Sequence, residues 1–347
     1  MDQIGLFLIV ATAIVIVFDF TNGFHDASNM IASVIASHAM TPLQAILVIG
    51  TFTFLGPMLG GTAVANTIGK FVTLDDLPNN LSLSLVICGL LAATVWNLFT
   101  WYRGLPSSSS HALVGGLVGA VVVSAGPEHV LWGFSQLAQG QITGVTKVLL
   151  ALFISPLAGF WIGFLLQRIT LYLLRAASPL INRELRGAQW FTTAGLAFSH
   201  GANDAQKSMG VLTLCLLMSG EITEFVVPFW VILVCAISIT LGTLLGGWRI
   251  VRTLAFSIYK IRPLHAFNSQ ASSAGVIFLA SMIGAPVSTT HVVSSSIMGI
   301  GAAERAKAVR WTKAKEIGIT WLITIPGAGI VSIISYGVLS LTKLALI

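Results

Sequence analysis

Two aspartates lie at matching positions in two similar motifs, GFHDAS and GANDAQ, which place Asp26 and Asp204 inside long apolar stretches. A carboxylate at membrane depth is costly, by ~2.5–3.5 kcal/mol on insertion scales, and typically marks an ion or substrate path. With Asn29 and Asn203 beside them, the carboxylates offer the oxygen ligands that a hard cation such as Na⁺ accepts. The pattern therefore predicts a cation site, while N-capping of a half-helix after each glycine is the structural alternative.

A second pair of motifs, LPSSSSH at 105–111 and APVSTTH at 285–291, combines a proline, a hydroxyl-rich turn and a histidine. Proline ends the preceding helix, and the hydroxyls are good N-caps for the next one. The free N–H groups and positive dipole at such a helix start suit an anion. Helix capping alone would explain one copy, but two copies favour substrate binding. The predicted anion-binding residues are Ser107, Ser108, Ser109, Ser110, Ser288, Thr289 and Thr290.

Several polar residues near these motifs have open roles. The supporting candidates are His25, His111, Lys207, Gln270 and His291. The last histidine of each turn either binds a ligand or braces the turn. Lys207 follows Asp204 by three residues and either neutralises that carboxylate or attracts the anion. Asp19 has no acidic counterpart, and Arg103 either approaches the site or reaches the surface.

The composition is that of an integral membrane protein. Of 347 residues, 55% are hydrophobic and 9% are charged, whereas soluble domains are about 25% charged. Apolar stretches of spanning length, ~20 residues, recur along the whole chain. The net charge of +6 lies in loops and does not indicate nucleic acid. The three cysteines lie in apolar runs without metal-ligand spacing, which favours buried thiols.

The chain is predicted to be a duplicated unit. Four matches recur in the same order with offsets of 178, 186, 180 and 170 residues, which is the mark of an internal repeat. The predicted organisation is a first transmembrane repeat at 1–165, a basic cytoplasmic linker at 166–187 and a second repeat at 188–347.

The fold class is all-α. In each half, a long opening stretch is predicted to break at a glycine, and a spanning helix, a helical hairpin bent at the hydroxyl turn and a closing helix follow. The predicted segments are 4–37 (broken at Gly23), 42–66, 82–126 and 145–167, then 190–218 (broken at Gly201), 225–246, 264–301 and 317–342.

Basic residues predict the orientation of the two repeats. Segments 167–187, 247–263 and 302–316 hold 13 of the 18 lysines and arginines, and the equivalent loops of the first half are nearly bare. The rich loops are therefore expected in the cytoplasm. If the hairpin returns to its own side, each half crosses the membrane three times, and the second copy is inverted. Inverted repeats with broken helices and two hairpins that meet at the midplane are typical of secondary transporters.

At these residues the sequence resembles the inorganic phosphate transporter family of the PiT type. GFHDASN at 23–29 and GANDAQK at 201–207 look like its two signature repeats, and PVSTTH at 286–291 looks like its second hairpin turn. The resemblance covers nearly the whole chain. It implies a multi-pass protein of the cell membrane that carries inorganic phosphate with Na⁺ or H⁺, often as a homodimer and without a cofactor. Phosphate would bind at the two hydroxyl turns, and Na⁺ at Asp26 and Asp204.

One departure from the family pattern bears on coupling. Gln270 stands where many members carry a glutamate, which removes a titratable group and leaves the number and identity of the coupled cations open. A sister branch carries sulfate, and the motifs do not exclude that anion.

Two other classes compete with a symporter. An intramembrane hydrolase would use a serine beside His111, but one nucleophile gives no reason for a mirrored second set. A passive anion channel is the other rival, and paired carboxylates suit gated coupling better.

Overall fold

The computed structural model describes residues 3–74, 76–256 and 258–341, which fold mainly into α-helices. The helices of the first half are α1 (Gln3–Ala36), α2 (Pro42–Leu59), α3 (Ala63–Ile68), α4 (Asn79–Arg103), α5 (Ser109–Ser124), α6 (Phe134–Ala138) and α7 (Gly144–Leu173). Those of the second half are α8 (Ile181–Met218), α9 (Phe229–Leu245), α10 (Trp248–Phe256), α11 (Pro263–Met282), α12 (Thr289–Arg305) and α13 (Trp311–Leu341).

Five of these helices are long and apolar enough to cross a bilayer: α1, α2, α4, α7 and α13. The shorter α5 and α9 are also apolar. Large hydrophobic side chains are exposed along α7 and α13, including Trp161, Leu165 and Leu322. Such surfaces are stable in lipid rather than in water, so the chain is a multi-pass membrane protein.

The helix contacts of the two halves are related by a twofold pattern. Helix α1 packs on α9 as α2 packs on α8, and α5 packs on α13 as α12 packs on α7. Likewise α4 lies against α5 and α1, as α11 lies against α12 and α8. Each contact is kept when every helix is exchanged for its counterpart. The halves therefore interlock instead of forming two separate bundles.

The opening helices are not broken at their glycines, and the prediction of a break there is wrong. Helix α1 continues through Gly23, and α8 continues through Gly201. A Cβ at Gly23 would lie 2.1 Å from the carbonyl oxygen of Ile239, and one at Gly201 would lie 2.2 Å from that of Thr53. These glycines let two helix backbones touch, which is a packing role. Both hairpins are interrupted at their hydroxyl turns, between α4 and α5 and between α11 and α12.

Other predicted boundaries shift at turn residues. The segment predicted as one helix over 42–66 stops at Leu59, and α3 starts after Gly61, whose φ is +78°. Helices α7 and α8 run into the predicted linker from both sides and leave 174–180 between them. The two hairpins lie where the sequence predicts them.

Candidate functional site

The two hydroxyl turns are sharp elbows between antiparallel hairpin helices. A glycine with positive φ ends the first arm of each hairpin region, Gly104 at 65° and Gly284 at 66°. The Ser108 Oγ accepts a hydrogen bond from the backbone N–H of His111 at 3.1 Å, and Ser288 Oγ accepts one from His291 at 3.3 Å. These two hydroxyls are N-caps of α5 and α12. The predicted capping role therefore holds for them.

The elbows meet each other in the core of the molecule. Ser110 Oγ donates to the carbonyl oxygen of Val287 at 3.2 Å. The rings of His111 and His291 lie 4.6 Å apart, and Trp321 stacks on His291 at 3.9 Å. Because these histidines pack on each other and on Trp321, they brace the two elbows.

Asp26 reaches the second elbow from α1. Its Oδ1 accepts from Thr290 Oγ1 at 2.9 Å and lies 2.7 Å from His25 Nδ1. Its Oδ2 lies 3.2 Å from Thr289 Oγ1. Asn29 Nδ2 donates to Thr290 Oγ1 at 3.0 Å. One turn of α1 therefore holds one end of α12 through its two threonines.

Asp204 reaches the same elbow from α8. Its Oδ1 accepts from the Lys207 ammonium group, and its Oδ2 lies 2.9 Å from Thr289 Oγ1 and 2.7 Å from His200 Nδ1. Lys207 Nζ also donates to the Val287 carbonyl at 2.8 Å. Asn203 Nδ2 donates to the backbone of the same elbow, at 3.3 Å from the oxygen of Ala285.

The two carboxylates share one hydroxyl proton. Thr289 Oγ1 lies within hydrogen-bond distance of both Asp26 Oδ2 and Asp204 Oδ2, but a hydroxyl has a single hydrogen to donate. When the hydroxyl donates to Asp204 Oδ2, Asp26 Oδ2 has no other donor among the described residues. Ligand atoms of Asp26, His200 and Asp204 lie within 4.8 Å of one another, and all three residues are buried. The donor set fits a bound cation.

Amide oxygens add to this donor set. The Oδ1 atoms of Asn29 and Asn203 are buried and find no hydrogen-bond partner in the described chain. A buried polar atom without a partner is costly. Because each amide already uses its nitrogen on the second elbow, its oxygen is free to accept from water or to coordinate a cation.

The hydroxyls of the first elbow face a different environment. Ser107 Oγ donates to Thr100 Oγ1 at 2.7 Å and lies 3.3 Å from His25 Nε2. Ser109 Oγ is buried and makes no hydrogen bond to any part of the chain that is described. Ser109 is thus a hydroxyl donor held in the core with its bonding capacity unused.

Three polar residues lie away from the elbows or outside the site. Gln270 bridges Ser33 Oγ at 2.9 Å and Thr192 Oγ1 at 2.6 Å, between α1 and α8. Asp19 is fully buried and accepts from Ser208 Oγ at 2.6 Å. Arg103 is exposed beside the Phe99 ring and therefore points to the surface.

Sequence reasoning missed His200 as part of the site, although a signal was present. The first motif has Asn22 and His25 before its aspartate, and the second has His200 and Asn203 at the same two places. Histidine and asparagine are exchanged between the copies. Both histidines nevertheless lie 2.7 Å from their own carboxylate. His200 reaches Asp204 across one turn of α8, since residues four apart share a helix face. His25 reaches the adjacent Asp26 directly.

Interlocked halves, apolar outer helices and a buried ionic site between two elbows define a class, the polytopic helical membrane transporters. The family model described as the phosphate transporter family matches residues 22–185 and again 174–332. A Bacillus subtilis (strain 168) protein named "Probable low-affinity inorganic phosphate transporter" is 39% identical over 98% of this chain and 99% of its own length. A Rhizobium meliloti (strain 1021) protein of the same name is 38% identical over 95% of each chain.

A solved structure named "The sodium-dependent phosphate transporter" superposes with a TM-score of 0.75 at 25% identity, over 97% of this chain and 99% of that one. The chain belongs to the phosphate transporter family. The family and its named relatives are transporters and not enzymes, so the hydrolase interpretation is excluded.

Proposed function

We propose that this protein carries inorganic phosphate across the cell membrane together with Na⁺, by alternating access. The observation that carries the proposal is the junction of the second elbow with Asp26 and Asp204, where two buried carboxylates share the Thr289 hydroxyl. Such a site is incomplete without a cation, because uncompensated charge in a membrane is costly. Its place beside the first elbow brings the cation next to a candidate anion site.

Phosphate is proposed to bind between Ser107–Ser110 and Ser288–Thr290. The two elbows touch, and each begins a helix whose N–H groups and dipole favour a tetrahedral oxyanion. The unused hydroxyl of Ser109 is suited to donate to it. The family match and the names of the two bacterial relatives support phosphate over sulfate as the anion.

Na⁺ is proposed as the coupling ion. The atoms that meet at Thr289 are carboxylate and hydroxyl oxygens, which suit a hard cation. The solved relative is named as sodium-dependent, and Gln270 leaves no titratable group where many family members have a glutamate. Because Na⁺ and phosphate would neutralise each other in one buried pocket, each should raise the affinity of the other by the same factor.

The proposed setting follows the sequence analysis. The repeats 1–165 and 188–347 are inverted about the basic segment 166–187, and the interlocked packing and the two separate family matches support this division. The protein would lie in the cell membrane as a homodimer, with one complete site in each protomer. Cross-linking and mass measurement of the detergent-purified protein test the assembly.

Uptake of radiolabelled phosphate into proteoliposomes tests the function. An inward Na⁺ gradient should drive phosphate above its equilibrium level, and excess unlabelled sulfate should not compete. Asp26→Asn should lose Na⁺-driven uptake, while Asp76→Asn, at an exposed carboxylate paired with His129, should keep it. Uptake that only equilibrates would indicate a channel, and unchanged Na⁺-driven uptake in Asp26→Asn would remove the cation assignment.

A further inference from the structure

The two carboxylates of the site have unequal partners at the equivalent position of each repeat. Asp26 is followed three residues later by Asn29, and Asp204 is followed three residues later by Lys207. The two pairs share the same offset of 178 residues. An amide thus stands in one copy where an ammonium group stands in the other.

The contacts of these two residues show what the exchange does. Asn29 leaves Asp26 alone and donates to Thr290, which in turn donates to Asp26. Lys207 instead contacts Asp204 Oδ1 directly and uses a second hydrogen on the Val287 carbonyl at 2.8 Å. Its side chain is 1% exposed. The ammonium group therefore neutralises one carboxylate within the membrane core.

The hydroxyls of the two elbows also differ in whether they bond to a site carboxylate. Thr289 and Thr290 of the second elbow lie on Asp26. Their counterparts at an offset of 180, Ser109 and Ser110, make no such bonds to Asp204: Ser110 donates to Val287, and Ser109 has no partner among the residues described. The place that an ion or a hydroxyl would take beside Asp204 Oδ1 is taken by Lys207.

We infer that Lys207 is a built-in cation that occupies the position beside Asp204 Oδ1, so that no exchangeable Na⁺ binds at that oxygen. This inference rests on the proposed function and sharpens it. One exchangeable cation then binds where Asp26 Oδ2 and Asp204 Oδ2 face Thr289, and Lys207 permanently satisfies Asp204 Oδ1. A lysine ammonium is a compact point charge with three donors, which makes it a fair substitute for a small cation.

The inference explains why a buried lysine is tolerated at this depth. Two carboxylates, those of Asp26 and Asp204, are buried at the site and face the same hydroxyl. A tethered positive charge lowers their mutual repulsion when the exchangeable ion leaves. The transporter could then return through the membrane with fewer ions bound, and each phosphate would cost less of the Na⁺ gradient.

Lys207→Asn tests the inference, because it gives the second repeat the residue of the first. With the tethered charge gone, Asp204 should recruit an additional ion. Radiolabelled Na⁺ taken up for each radiolabelled phosphate should rise by about one, and uptake should depend more steeply on Na⁺ concentration. Lys70→Asn, the same change at an exposed lysine in the loop after α3, should keep the wild-type ratio.

A second measurement covers a variant that binds but does not transport. Na⁺ that binds only the folded protein stabilises it by RT ln(1 + [Na⁺]/Kd) at each site, so an added site steepens the rise of the melting temperature with Na⁺ concentration. The rise per decade of NaCl over choline chloride should be larger in purified Lys207→Asn than in wild type. An unchanged Na⁺-to-phosphate ratio in an active variant, or an unchanged Na⁺ effect on melting in an inactive one, overturns the inference. Absence of phosphate uptake by the wild type would instead overturn the proposed function.

Discussion

At the scale of single residues, the site is governed by how few hydrogens reach its two carboxylates. The single proton of Thr289 faces both Asp26 and Asp204, and one ring nitrogen of His25 and of His200 lies 2.7 Å from the neighbouring carboxylate. In water such a shortage has no consequence. In a buried site each unsatisfied charge is costly, so the shortage of donors favours the proposed binding of a cation.

Removal of the shared hydroxyl should make the melting temperature of the protein depend more strongly on bound Na⁺. Thr289→Val removes the hydroxyl that Asp26 Oδ2 and Asp204 Oδ2 share, and a buried hydrogen bond to a charged group is worth ~1.5–3 kcal/mol. We expect a lower melting temperature in Na⁺-free detergent and a larger rise on addition of Na⁺ than in wild type. Thr51→Val, on the exposed face of α2, is the control. An equal loss with and without Na⁺ would contradict the shared-proton account.

Ser109 offers a separate test of the anion site. Because its hydroxyl has no partner within the described protein, Ser109→Ala should leave the melting temperature unchanged. The same change should raise the phosphate concentration for half-maximal uptake by ~10-fold, which is the affinity expected to be lost with one hydrogen bond to an anion. Ser124→Ala removes another unpartnered hydroxyl at the far end of α5 and should change neither quantity. Unchanged phosphate dependence in Ser109→Ala would exclude Ser109 from the substrate site.

At the scale of elements, glycines set the distance between helices. Gly23 of α1 touches the backbone of α9, and Gly201 of α8 touches the backbone of α2, at equivalent places in the two halves. The helix that carries each aspartate is therefore held by a neighbour from the other repeat. This contact fixes Asp26 and Asp204 more firmly than a hinge would.

Alanine at either glycine should be harmful. The atoms in the way are backbone carbonyl oxygens at 2.1 and 2.2 Å, and overpacking of this kind costs ~1–3 kcal/mol. Gly23→Ala and Gly201→Ala should therefore lower the melting temperature and phosphate uptake. Gly275→Ala, on α11 with nothing within 4 Å of its Cβ, should be neutral or stabilising by up to ~1 kcal/mol. If these glycines served instead to loosen their helices, alanine at Gly23 would stabilise the protein.

These two glycines also show where sequence reasoning ends. The hairpins and their capped elbows follow from local chemistry, since proline and serine determine a helix end and a helix start within a few residues. The fate of Gly23 depends on α9, which is more than two hundred residues away, and a glycine that breaks a helix looks the same in sequence as one that packs it. For the same reason the pairing of Thr289 with both aspartates was not predictable from spacing.

At the scale of the whole molecule, the packing of the two halves is a reciprocal exchange. The opening helix of each half packs on the second helix of the other, and the closing helix of each half packs on the second arm of the other's hairpin. A carboxylate from each opening helix thereby reaches the same elbow. Neither half has a complete site alone, which is why transport is proposed for the interlocked pair.

The orientation of the halves in the membrane is the remaining prediction. Loop 126–146 of the first half has no lysine or arginine, while its counterpart 302–316 has five, so the positive-inside rule places them on opposite faces. Gln139 and Lys307 are exposed at these two places, and the three native cysteines are buried. Gln139→Cys should therefore react with a membrane-impermeant maleimide in intact cells. Lys307→Cys should react only after permeabilisation, because its basic loop is predicted to face the cytoplasm. Cells that label both cysteines from outside, or neither, would show the repeats to be parallel, and an elbow pair entering from opposite faces could not then form.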